Sequence, residues 1–257
     1  MTKKNLVVIS PFQSRSGYGQ HSRLIIRSLL AIPELTDKYN INLVSIKWGG
    51  TPLTALDPNK SEDADLLRLM LPNNQITSEP DVSIHITIPP EFQRIGKKSF
   101  GISALTESSL LPVNMVEGLN KVDMCIVPSE FTKAVALDTQ IEKKDNKTGQ
   151  ITEIIKVNKP IEVLFEGLDT NIYSKNNVIK SDFTPYLTNL VEEPFAYLFV
   201  GHWMNAQLGH DRKDVGMLVH TFFNTFKNKK NKPALVLKTS SAGFSMTERD
   251  QIIDKVR

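Results

Sequence analysis

A single cysteine, Cys125, is the only thiol in 257 residues, which excludes an internal disulfide and any zinc site built on several thiolates. Its neighbours, VDMCIVP, read as a buried strand, so Cys125 is expected to be an inert packing residue. Aromatic residues are sparse at 7%, and no apolar run is long enough to cross a bilayer. The apolar stretch near the start, LVVIS, has only about five residues, short of the seven or more of a secretory leader, so a cytoplasmic protein without a membrane span is expected. An excess of either charge is also missing: 31 basic against 28 acidic residues leave +3, far from a nucleic-acid-binding tail.

What is present is a hydrophobic fraction of 40%, enough for a sizeable core, and short apolar strands alternating with helical patterns. That alternation predicts an α/β fold around a mainly parallel sheet. Strands are expected at 5–12, 41–48, 81–89, 98–105 and 122–128. Helices are expected at HSRLIIRSLL, at SEDADLLRLML, near 113–120, and at SEFTKAVAL with Ser129 as its cap. Residues 138–159, with DNKTG between two β-leaning arms, read as a hairpin inserted before the strand KPIEVLFEG. A polar stretch from about 174 to 194 reads as a connection. A second unit follows: strand FAYLFVGHW, helix RKDVGMLVHTFFNTF, strand PALVLKTS, and a last helix opened by the capping-box spacing of Ser245 and Glu248. The domains expected are therefore 1–190, with the hairpin, and 195–257. Two strands and two helices make the second an incomplete Rossmann-like unit.

Several residues carry chemistry. SGYGQHSR follows the first strand and opens a helix, so Gly17 and Gly19 would let a ligand approach the backbone while helix amides face an anion. An ordinary strand-to-helix turn uses glycine equally well. His21 and Arg15 beside it are either ligand donors or plain surface residues. Glu107, just after a predicted strand, stands at the edge where open α/β sheets bind ligands, to hold a hydroxyl or accept a proton; capping of the next turn is the plainer role. Asp63 and Asp65 imitate a metal motif, but carboxylates at a helix start complement the dipole, and no metal is expected there.

In GHDRKDVGMLV, Arg212 and Lys213 fall where the sequence pattern opens a helix, a position electrostatically wrong for cations. Asp211 as a cap and Asp214 in the first turn would neutralise them. Alternatively a ligand's diphosphate meets the amides and both cations, joined by Lys238 from the end of the next strand. Lysines of KNKKNK, 227–232, suit a helix C-terminus, and Lys143, Lys144 and Lys147 protect a strand edge. Two such patches keep DNA binding open as a third class, marked by steep salt dependence.

The run FAYLFVGHW, RKDVGMLVHTFFNTF and PALVLKTS resembles the opening of the C-terminal domain of GT-B glycosyltransferases of the family 4 type. SGYGQHSR, VDMCIVPSEFTKAV and VLFEGLDTNIY agree in the same order, and TESSLLP, PSEFTKAV and RKDVG are most similar to the versions found in tailed bacteriophages. The resemblance implies a GT-B fold and a retaining, metal-independent transfer of sugar from a nucleotide-sugar co-substrate, in the host cytoplasm if phage-encoded. The acceptor is not specified: a glycan, a protein or modified DNA. Lys213 matches the family's diphosphate-binding lysine, and His202 stands where an arginine is expected, with Arg212 as the compensating cation. Gly17 and Gly19 would face the donor, Glu107 takes the end-of-strand catalytic position, and His21, Ser129 and His202 are candidate substrate contacts. The family's paired glutamates, E-x7-E, are missing, since no two glutamates here lie eight apart. This implies an inactive or partner-dependent fragment, or a second polypeptide supplying the rest of the site. A non-enzymatic binding module is the alternative.

Overall fold

The structure, a computed structural model, describes residues 2–145, 147–174, 189–204, 208–211, 213–241 and 245–256. It divides into two compact units, Met1–Asp169 and Thr170–Arg257.

The first unit is built on a six-stranded parallel sheet. Its strands are β1 (Lys4–Ser10), β2 (Tyr39–Ser45), β3 (Val82–Ile86), β4 (Lys98–Ile102), β5 (Met124–Val127) and β8 (Ile161–Val163), in the spatial order β2-β1-β3-β4-β5-β8. The direction of winding reverses between β1 and β3, which makes the carboxyl ends of those two strands the natural ligand edge. Helix α1 (Gly17–Leu30) buries Ile26 on one face of the sheet, against Leu6, Val8, Leu43 and Ile86. Leu66 of α3 (Ser61–Arg68) joins the same cluster. On the other face α4 (Val113–Leu119) and α5 (Glu130–Asp138) enclose Cys125, Val127 and Phe92. This is the mixed α/β, Rossmann-like arrangement that alternating elements predict.

The short helix α2 (Pro33–Lys38) has no counterpart in the sequence reading; it begins with proline at its first position, where the missing N–H costs nothing. The inserted hairpin is present as β6 (Gln140–Lys144) against β7 (Ile151–Lys156), antiparallel. Its turn is closed by the Asp145 carboxylate, which accepts from the Lys147 and Thr148 amides, and by Gly149 at a φ of 69° that favours glycine.

In the second unit β9 (Ala196–His202) and β10 (Ala234–Ser240) pair in parallel. Helix α6 (Val215–Phe226) sets Phe222 and Phe226 about Tyr197. Helix α7 (Met246–Val256) opens with the capping box: the Glu248 amide donates to Ser245 Oγ, and the Ser245 amide donates to the Glu248 carboxylate. Among the described residues no helix is long and apolar enough to cross a membrane.

Candidate functional site

At the carboxyl edge of β1 the chain turns through residues 11–16 into α1. Ser16, extended at φ −133°, caps the helix by accepting from the Gly19 amide at 3.0 Å. Arg23, nearly buried, reaches back from α1 to donate to the carbonyls of Phe12 (2.6 Å) and Ser14 (3.0 Å). Arg15 donates to Thr54 Oγ1 and to the Thr54 carbonyl, tying the loop to the segment after β2. The two glycines of this loop do different work. A Cβ on Gly19 would lie 2.3 Å from the Ser14 carbonyl, so that glycine exists to let the loop pass, and its amide already serves Ser16. Around Gly17 a Cβ would meet nothing within 4 Å. The amides of Gly17 and Tyr18, first in the helix, have no intrahelical acceptor and are the ones left for a ligand.

Tyr18 fixes this helix start to the end of β4. Its hydroxyl lies 3.0 Å from Ser103 Oγ and accepts from the Ala104 amide, and its ring lies 4.3 Å from that of Trp48. Burial pushes its phenol above the usual 10. Beyond Ser103 the buried Leu105 sits at φ 58°, a left-handed conformation that a bulky residue holds at a cost of roughly 1–3 kcal/mol, supported here by its amide donating to Ser103 Oγ. Glu107 follows two residues later, exposed on the same loop. Strain of this kind gathers at binding edges, and here it shapes the segment that carries the predicted carboxylate.

His21, half-buried in the first turns of α1, is pushed below 6.5 by burial, against the opposing charge of Glu166. It is therefore neutral at pH 7, offering one donor and one acceptor. The charge of Glu166, in the exposed segment after β8, also raises the pKa of Tyr18, to a lesser degree than burial. Sequence reasoning passed over Tyr18, Trp48 and Glu166. The available signal was position alone, since each lies within a few residues of a strand's carboxyl end or a helix start. Ser129 caps α5, its Oγ accepting from the Thr132 amide at 3.1 Å.

The second unit corrects the expected helix start. α6 begins at Val215, and Asp214 before it has φ 44° and makes no side-chain cap. Its carboxylate instead accepts from the Gly209 amide at 3.0 Å. Asp211 is buried and serves the loop rather than the helix, accepting from the Met204 and Lys213 amides. Lys213 thus stands ahead of the helix, not in its first turn, because the left-handed Asp214 interrupts the helical path. Its aliphatic stem lies over Gly201: a Cβ there would come 2.7 Å from Lys213 Cδ. Arg212 lies outside the described residues.

Lys238 and Lys213 do not converge on one face of the strand pair. Lys238 is in register with Val200, and side chains alternate along a strand, so it projects on the opposite side from Gly201 and the lysine that covers it. His202 shares the Lys238 side, its Nδ1 3.2 Å from Ser240 Oγ. Among the described residues no group of three or more histidine, cysteine, aspartate or glutamate side chains is placed to hold a metal ion. Asp63 pairs with Arg27 at 2.7 Å and Asp65 with Arg68 at 2.8 Å.

Compared with protein-family models, with curated proteins and with solved structures, the chain finds no match in any of the three.

Proposed function

We propose that the chain works in sugar transfer as a GT-B glycosyltransferase, retaining and metal-independent, with the first unit on the acceptor side and the second holding the nucleotide-sugar diphosphate. The observation that carries this reading is Lys213, exposed, its stem laid over Gly201 at the end of β9 and immediately ahead of the first amides of α6. A cation and the first amides of a helix beside a parallel strand's carboxyl end suit a diphosphate. The order of motifs shared with family 4 enzymes supports it further.

Breaking the sugar–phosphate bond leaves the electron pair and growing negative charge on the diphosphate. Donors already in place there stabilise the transition state more than the ground state. The acceptor hydroxyl attacks from the face that the diphosphate leaves, and a phosphate oxygen takes its proton. Glu107 and the neutral His21, on the first unit's carboxyl edge, would orient the transferred sugar and acceptor.

The test is calorimetric titration of nucleoside diphosphate sugars into the wild type, Lys213→Ala and Lys213→Met, followed by an assay for donor hydrolysis or transfer. Both variants should bind about 10- to 100-fold more weakly, or about 1.5–3 kcal/mol, as loss of a charge-assisted contact predicts. Methionine keeps the stem over Gly201, so wild-type affinity in Lys213→Met would show that the charge is not used and would overturn the assignment. Binding without any turnover would favour a non-enzymatic module.

A further inference from the structure

A cavity of about 440 Å³ opens on the first unit at the carboxyl ends of β1, β2 and β3, within the size range of small-molecule sites. It lies on the opposite face of the sheet from α1. Its floor residue His85 is in register with Ile9, and Ile9 belongs with Val7 and Val44 to the core cluster of that face, whereas α1 packs on Val8, Leu43 and Ile86. The cavity is therefore separate from the α1 edge described above.

Ile9, Val44, Ile46, Ile76 and Ile95 give it an aliphatic wall. Thr87 is buried and donates its hydroxyl to the Glu91 carboxylate; Lys47 and Glu91 are exposed lining residues. His85 is 2% exposed, and its Nε2 is buried with no hydrogen-bond partner. Its ring is held in place by an edge contact with Phe92, which itself lies over Gly101. An unpaired buried nitrogen is rare in native folds, and the residue that carries this one lines an open cavity. Burial pushes the imidazole down to about 4, so at neutral pH the ring is uncharged and presents one donor and one acceptor. A hydroxyl, which both donates and accepts, matches that ring. A charged group on the buried His85 would lose its hydration, and the charged lining residues, Lys47 and Glu91, are both exposed and keep theirs.

We propose that this cavity binds a neutral alcohol with a compact aliphatic or alicyclic body, its hydroxyl on His85 and its hydrocarbon against the isoleucine and valine wall. The assignment concerns the first unit alone and does not rest on the transferase reading.

The experiment is an NMR titration of the full chain, following the imidazole resonances of its five histidines. Cyclohexanol is the probe, with cyclohexanecarboxylate and cyclohexylammonium as charged counterparts of equal shape. Cyclohexanol should shift the His85 signals to saturation, and each ion should bind at least about tenfold more weakly. His85→Phe should abolish saturable binding. Ile76→Trp, which fills the cavity from its wall and leaves His85 in place, should do the same, and it decides the matter if the phenylalanine variant fails to fold. A His85 signal that does not respond, equal binding of the ions, or undiminished binding in Ile76→Trp would overturn the proposal.

Discussion

Alanine at Gly19 and alanine at Gly17, two residues apart in one turn of α1, should have opposite effects on stability. At Gly19 the new methyl would lie 2.3 Å from the Ser14 carbonyl oxygen, 2.6 Å from Ser14 Oγ and 3.0 Å from the Pro11 carbonyl. Two of these neighbours are backbone, so relief requires the loop to move. That movement breaks the Ser16 cap on the Gly19 amide and the Arg23 contact to Ser14. Overpacking costs about 1–3 kcal/mol and loss of a cap about 1, so Gly19→Ala should destabilise the first unit by about 2–4 kcal/mol. Gly17 has no positive φ and open space around it, so alanine there narrows the unfolded ensemble and should stabilise by about 0.4–1 kcal/mol. The chain has two tryptophans, Trp48 in the first unit and Trp203 in the second, so urea unfolding in a Trp203→Phe background reports the first unit alone. Midpoints at constant slope give the difference. A Gly19→Ala protein within about 0.5 kcal/mol of its parent, the range of neutral surface changes, would refute the close-approach account. So would a Gly17→Ala protein damaged as badly as Gly19→Ala.

Other consequences are open to simple measurement. Burial pushes the Cys125 thiol up to about 12, and its Sγ contacts the Leu119 carbonyl, so a thiol reagent should find no reactive group in the native protein and one in urea. Asp63, whose carboxylate serves both Arg27 and the Asp57 amide, should cost about 2–3 kcal/mol on replacement by alanine. Asp65→Ala, breaking an exposed pair with Arg68, should stay within about 0.5 kcal/mol; equal losses at the two positions would contradict the burial argument. With His85 at about 4 folded and near 6.5 unfolded, the unfolded chain takes up the proton first as pH falls. Stability tied to His85 is complete above pH 6.5 and is lost towards pH 4, roughly 2 kcal/mol of it by pH 5. The urea midpoint of His85→Phe should fall less than that of the wild type between pH 7 and pH 5, and parallel losses would exclude the histidine as the cause.

The elements of the chain were legible where local chemistry dictates them. Ser129 accepts from a helix amide three residues on, Ser245 and Glu248 form their reciprocal pair, and DNKTG closes a hairpin, because each interaction spans a few residues. The helix start near Asp214 was misplaced for a related reason. An amphipathic run continues back through RKD, but a left-handed Asp214 and the buried Asp211 keep Lys213 out of the helix, which hydrophobic periodicity does not register.

By itself the sequence determined an alternating α/β chain with a mainly parallel sheet and short caps, since strand and helix periods are properties of neighbouring residues. Tertiary structure alone decided which side chains share a face. The pleat sends Lys238 away from the Gly201 side, the strand order puts His85 beside Ile9 at the floor of a cavity, and the approach of Ser14 separates the roles of Gly17 and Gly19. Register and crossover order bring together residues far apart in the chain, and no local pattern encodes those distances.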